Sequence, residues 1–315
     1  MYVFSETECE DRDSFWIGYV CMKRNIKYRS RSTFTSREIQ HSRCIAQSDS
    51  ELIWNWNTPA GRLRAKRRAD LIINGSGLRP GVTALEIGCG TGMFTEMFAR
   101  LGADLVAVDI SSDLIEKARE RNIASDRVLF VKKRFENCDI HGPFDAVIGS
   151  SVLHHLDIKP ALKKIYTLLK PGGFMCFAEP NMLNPQVFIE RKFRFLLPCF
   201  WYVSPDETAI VRWRFRDLLI KTGFEKIKII PFDWLHPATP IPLIHLFVNI
   251  GKLLENTPVL REFAGSVYIE CQRPINHPQP HPTNSCMRPR NEKLTDLSNN
   301  APNLRVSNLK RFSFI

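Results

Sequence analysis

The run Leu85-Glu86-Ile87-Gly88-Cys89-Gly90-Thr91-Gly92 constrains this chain more than any other stretch. It stands between residues 83–87, which read as a buried strand, and residues 93–101, whose apolar periodicity predicts a helix. Three glycines spaced two and two let a chain turn sharply from strand to helix and bring its backbone close to a ligand. A dinucleotide fingerprint, G-x-G-x-x-G, needs its third glycine at position 93, where this chain has Met93. The turn that cradles a diphosphate is therefore unmatched, and hydride transfer loses its main support.

Strand and helix signals alternate onward from this turn. Strands are expected at 104–109, 127–132, 144–149, 174–178, 225–231 and 266–271. Helices are expected at 112–121, opened by Asp113 with Glu116 three residues on, and at 160–169, ended by Pro171-Gly172-Gly173. A further helix should start at Ser204-Pro205-Asp206-Glu207 and close at Gly223. The alternation predicts an α/β domain over 51–273, with substrate-side inserts at 182–203 and 235–262. Residues 1–50 and 274–315, polar and without sustained period, are expected to be poorly ordered arms.

The formal charge of +11 divides unevenly: 8 − 7 = +1 in residues 1–50, 29 − 24 = +5 in 51–271 and 7 − 2 = +5 in 272–315. The central domain is only mildly basic, which argues against nucleic acid as a partner. Nine cysteines without a C-x-x-C pair outline neither a zinc site nor a disulfide framework, and no metal is expected. Reduced thiols and an acidic rather than basic start before residues 15–20 predict a cytoplasmic protein. No apolar run reaches the roughly 18 residues of a bilayer span.

Glu86 would repel a diphosphate from the strand tip and welcome an ammonium or sulfonium cation. Asp109, at the end of the second strand, suits two vicinal hydroxyls of a ribose. A cationic group joined to a nucleoside points to S-adenosyl-L-methionine. With Val108-Asp109-Ile110-Ser111, Phe144-Asp145-Ala146-Val147, Leu153-His154-His155-Leu156 and Leu168-Leu169-Lys170-Pro171-Gly172-Gly173, the chain resembles the class I S-adenosylmethionine-dependent methyltransferases. The likeness runs from about Trp54 to Pro274 and is to the small-molecule branch, near the quinone and lipid methylating enzymes.

The resemblance implies a Rossmann-like seven-stranded mixed sheet in the order 3-2-1-4-5-7-6, the last strand antiparallel, with helices on both faces. It implies cofactor contacts by Glu86, Gly88, Cys89, Gly90, Gly92, Asp109, Ile110 and Ser150. Many relatives carry an acid after strand 3 for the adenine amino group; this chain has Lys132-Lys133-Arg134-Phe135-Glu136, so Phe135 is the expected contact.

Methyl transfer to a hydroxyl calls for a general base, and His154, His155 and Glu179 are the candidates. Each has a plainer role, the histidines in capping or packing a helix and Glu179 in accepting backbone hydrogen bonds. His236 reads as a loop residue. Arg62, Arg64, Lys66, Arg67 and Arg68 cannot all share one helix face; most should be solvated, or the helix lids the site with Trp54 and Trp56 and presents arginine to an anionic head group. The aromatic and basic residues of 182–203, and the apolar stretch 241–254, suit either a lipid tail or membrane surface, hence peripheral membrane contact, or packing on the sheet edge. The expected activity is methylation of a small-molecule or lipid-like acceptor, at a hydroxyl oxygen, by in-line displacement. RNA or protein methylation is the alternative, lacking the Asn/Asp-Pro-Pro-aromatic motif at Gly149-Ser150-Ser151-Val152, and a silent cofactor-binding module is another.

Overall fold

A computed structural model describes residues 49–121, 123, 126–193 and 209–275, together with residues 43 and 46. The arms lie almost wholly outside the described residues, as do residues 194–203 and Ser204-Pro205-Asp206-Glu207. A short helix α1 (Ser50–Ile53) precedes α2 (Pro59–Ser76). In α2 the Thr58 hydroxyl accepts the Gly61 N–H at 2.9 Å, Pro59 takes the first turn, where no N–H is needed, and Gly77 closes the helix in the left-handed region.

There follow β1 (Thr83–Ile87), α3 (Met93–Ala99), β2 (Asp104–Asp109), α4 (Ser112–Glu120), β3 (Val128–Lys132), β4 (Phe144–Ser150), α5 (Ile158–Leu168) and β5 (Leu169–Pro180). The remaining elements are α6 (Pro185–Phe193), α7 (Arg212–Thr222), β6 (Glu225–Phe232), α8 (Ile244–Asn256) and β7 (Ser266–Gln272). The strands form one sheet in the order β3-β2-β1-β4-β5-β7-β6, with β7 antiparallel to both of its neighbours, as expected.

Alternation along the strands builds two cores. Leu85, Ile87, Val106, Val108, Val147, Met175 and Phe177 pack on one face; Ala84, Leu105, Ala107, Ala146, Ile148, Cys176 and Ala178 pack on the other. Strands covered on both faces are apolar at nearly every position, which is why they are legible as runs. The described cysteines Cys89, Cys138, Cys176 and Cys271 are free and buried.

Three local expectations fail. Ser111, not Asp113, caps α4: its hydroxyl accepts the Leu114 N–H at 3.3 Å, and Asp113 sits in the first turn. Pro171-Gly172-Gly173 lies inside β5 rather than before it. Leu169 pairs with Phe144, and pairing resumes at Phe174 with Ala146 after a register shift. The backbone there is satisfied by bonds from Gly172 N–H to Arg273 O, 2.8 Å, and from Arg273 N–H to Gly173 O, 2.9 Å. The helix closed by Gly223 begins at Arg212, beyond the expected cap.

Candidate active site

Sheet order reverses between β1 and β4, the place where open α/β sheets receive ligands beyond the carboxyl ends of their strands. A cavity of about 690 Å³ lies there, lined by Ile87 at the end of β1, Val108 and Asp109 of β2, and Ser150 of β4. Its size suits a small-molecule site.

The glycine turn forms one wall. At Gly88, φ is +69°, and a Cβ would fall 2.4 Å from the Val152 side chain, so the turn and the segment after β4 approach more closely than any side chain allows. At Gly90, φ is +52° and the Trp54 ring lies 3.7 Å from where a Cβ would stand. The Gly90 N–H donates to Asp109 Oδ2 and the Ser111 N–H to Asp109 Oδ1, both at 2.9 Å. Burial pushes the Asp109 carboxyl up, and these N–H groups pull it back. Each oxygen keeps a lone pair for another donor, as two vicinal hydroxyls require.

Glu86 lies beneath the turn, 1% exposed and off the cavity wall, with no hydrogen-bond partner for Oε2 among the described residues. Burial raises its pKa to about 8, Thr95 offsets part of this, and Asp109 adds to it. At neutral pH it is mainly a neutral carboxyl. Gly92 is likewise off the wall, starting α3 in the left-handed region against Ala118.

Across the cavity, His154 and His155 sit in a single 3-10 turn, Leu153–His155, with rings 4.2 Å apart. His154 Nδ1 lies 2.6 Å from Glu179 Oε2, and Glu179 Oε1 accepts the Val152 and Leu153 N–H groups, each at 2.9 Å. Burial pushes Glu179 up, but the His154 charge and hydrogen bond and the two N–H donors outweigh it and hold the carboxylate below its ordinary value. An ionised carboxylate can only accept, so the proton between the two lies on Nδ1 of His154.

The segment before β1 closes the cavity with Trp54 and Trp56, the latter edge-on to Phe94 at 5.8 Å. It is latched to the glycine turn: Thr91 Oγ1 donates to Glu51 at 3.0 Å, and Arg121 bonds both Glu51 and the Thr91 carbonyl. From α2, Arg64 Nε donates to Asp233 Oδ2 at 2.8 Å. Arg68, 3% exposed, donates to Ser151 Oγ at 3.1 Å, the Ala178 carbonyl at 3.3 Å and Ser266 Oγ. Arg68 has no carboxylate within 4 Å among the described residues, and burial lowers its pKa to about 10, so it stays charged.

The cavity wall thus gathers Gly88, Cys89, Gly90, Asp109, Ile110, Phe135, Ser150, His154 and His155; Glu86, Gly92 and Glu179 stand behind it. His236, read as a loop residue, also lines it, and its Nδ1 accepts the Ala238 N–H at 3.1 Å. Sequence reasoning missed Glu51, Asp233 and Trp234. Asp233 adopts φ +78°, a conformation that nothing in Phe232-Asp233-Trp234 announces. Among the described residues no group of three or more His, Cys, Asp or Glu is placed to hold a metal.

Residues 85–175 match the family model described as Methyltransferase domain. The ubiquinone biosynthesis O-methyltransferase of Xanthomonas campestris pv. campestris (strain B100) is 34% identical over 106 residues, 32% of this chain and 44% of that protein. The chain therefore spans less than half the length of that relative. A Thermotoga maritima structure described as a SAM-dependent methyltransferase, possible histamine N-methyltransferase, aligns with TM-score 0.52 and 21% identity over 73% of this chain and 97% of that one. The N-methyltransferase NodS from Bradyrhizobium japonicum, solved with S-adenosyl-L-homocysteine, aligns with TM-score 0.51 and 16% identity over 75% and 98%. At these identities the two structures speak to the fold.

Proposed function

We propose, from the premise that this chain carries a class I S-adenosylmethionine-dependent methyltransferase domain, that it transfers a methyl group to a hydroxyl oxygen of a small-molecule or lipid-like acceptor. One observation carries the choice of oxygen: the buried His154–Glu179 pair stands on the same cavity as the glycine turn and Asp109.

The residues present fit S-adenosyl-L-methionine, the cofactor of this family. Asp109 has lone pairs for the ribose hydroxyls, Gly88 and Gly90 leave room at the turn, and Ile110 and Phe135 offer apolar faces to the base. Arg68, a buried cation on the wall with no carboxylate within 4 Å among the described residues, suits the methionyl carboxylate. Bound there, the cofactor supplies a methyl group already activated by a sulfonium.

The chain's own residues align, dry and deprotonate. Trp54 and Trp56 line the cavity and would shield the reacting atoms from water. His154 takes the acceptor hydroxyl proton at Nε2, and Glu179 fixes the tautomer and stabilises the resulting imidazolium. Glu179, fully engaged by His154 and two N–H groups, acts as the orienting group and not as the base. His155 packs against the His154 ring and is assigned no proton transfer.

The test is incubation of the purified protein with methyl-labelled cofactor and fractionated extracts. Base-stable label in small molecules or lipids supports the proposal, and label confined to RNA or protein overturns it. We place the protein in the cytoplasm, with an acceptor held at or near a membrane edge.

A further inference from the structure

We propose that α8 and the turn after it form a membrane-docking face for anionic phospholipid, set beside the mouth of the cavity. Among the described residues, nine of the seventeen exposed large hydrophobic ones fall within 241–263: Ile241, Leu243, Leu246, Phe247, Ile250, Leu253, Val259, Leu260 and Phe263. Leu246, Phe247, Ile250 and Leu253 follow the one-face spacing of a helix, while Ile244 and Gly251 on the opposite side are the buried ones. The helix thus buries a narrow face, against Leu235, Ala60 and Trp234, and turns its broader apolar face outward. A patch so concentrated marks an interaction surface.

Two observations choose a bilayer over another protein. The first is charge. The acids of this region are neutralised, Glu255 by Arg67 at 2.5 Å and Glu262 by Arg212 at 2.9 Å. Lys252 on α8 and Lys192 on α6 are exposed and have no acid within 4 Å among the described residues. An apolar face that, among the described residues, has two lysines without an acid within 4 Å and both of its own acids paired complements an anionic lipid surface.

The second is continuity with the cavity. Asn184, at the start of α6, donates to the Phe263 carbonyl at 2.9 Å, so α6 adjoins the end of the patch. One turn on, Phe188 and Ile189 are each 43% exposed, whereas Val187 and Glu190 of the same helix line the cavity. On the other side, Trp234, His236 and Ala238 line the cavity just before the patch begins at Ile241. An acceptor dissolved in the bilayer would pass into the site without crossing water. This last step rests on the methyl-transfer proposal; the docking itself does not.

The experiment is sedimentation of the full chain with phosphatidylcholine vesicles containing none or 30% phosphatidylglycerol, with S-adenosyl-L-homocysteine binding and oligomeric state measured on the same samples. Co-sedimentation with the anionic vesicles is expected. It should fall about tenfold in Leu253→Ser and further in Leu246→Ser/Leu253→Ser, and Lys252→Glu should abolish the preference for anionic lipid. Ile230→Ser, at a half-exposed site on β6 away from the patch, should leave binding unchanged. No vesicle binding by a chain that binds homocysteine cofactor product normally overturns the docking face while sparing the enzyme reading; failure to bind that product overturns the enzyme reading alone. A dimer that Leu253→Ser dissociates, or vesicle binding acquired only when residues 194–208 are replaced by a Gly/Ser linker, would assign the face to a second copy or to that segment and overturn the proposal.

Discussion

Glu86→Gln separates a buried neutral carboxyl from an ionised one. Glu86 has an ordinary value of 4.5, and burial raises it to about 8 in the folded chain. Between those values the folded protein holds a proton that the unfolded chain has released, so folding takes up a proton and stability falls as pH rises. The contribution is complete below pH 4.5 and gone above about pH 8, and at roughly 1.4 kcal/mol per pH unit the interval amounts to about 5 kcal/mol. Glutamine has the same shape and no proton to lose. Asp109, raised by burial as well, is present in both proteins, so the difference between them isolates Glu86. From pH 6 to pH 9 the variant should gain about 3 kcal/mol on the wild type, read by urea unfolding, or roughly 5–10 °C in Tm for a domain of this size. Parallel stability curves over that range would mean that Glu86 is ionised in the folded chain and would refute the reasoning.

The same carboxyl predicts a proton linkage to the cofactor. A neutral Glu86 beneath the glycine turn gains by ionising when a cation arrives above it. S-adenosyl-L-methionine binding at pH 7 should then release a fraction of a proton, measured as heats that differ between buffers of different ionisation enthalpy. Glu86→Gln should bind with no such difference. Equal buffer dependence in both proteins would detach the carboxyl from the ligand.

Asp109→Ala should weaken S-adenosyl-L-homocysteine binding by more than a hundredfold, since it removes both the ribose acceptor and the anchor of the Gly90 N–H, with far-ultraviolet circular dichroism unchanged. Arg68→Met should weaken the same binding by about 10- to 100-fold, and titration with the decarboxylated cofactor analogue should show no difference between variant and wild type. His154→Gln should lower kcat by about 10²- to 10⁴-fold without changing cofactor affinity, and Glu179→Gln should lower it less, because the base survives with its tautomer unfixed. Equal cofactor affinity alongside full turnover in His154→Gln would remove the histidine from the chemistry.

The strands and the place of the cavity were legible because each rests on local signals, whereas the sheet order came with the family resemblance. The strands of a doubly covered sheet are apolar at nearly every position, and the turn after β1 has glycines at positive φ that other residues resist. Pro171-Gly172-Gly173 misled for the complementary reason. A proline and two glycines normally stop an element, but here Arg273 from beyond β7 supplies the hydrogen bonds that carry β5 through them, and that partner lies 100 residues away.

The site divides in the same way. Asp109, Gly88, Gly90 and His154 announce themselves by type and by position at strand ends, and the cavity gathers them. Their states do not: what a carboxylate does depends on its donors and its distance from water. Glu86 and Glu179 are both acids at the ends of buried strands, both essentially unexposed. Glu179 has two N–H donors and a histidine, which hold it below its ordinary value; Glu86 has an oxygen unpartnered among the described residues, and burial pushes it up to about 8. The same contrast holds between the two acids at the glycine turn: Asp109, on the cavity wall, has both oxygens bonded by the Gly90 and Ser111 N–H groups, whereas Glu86 lies behind the wall with Oε2 unpartnered among the described residues.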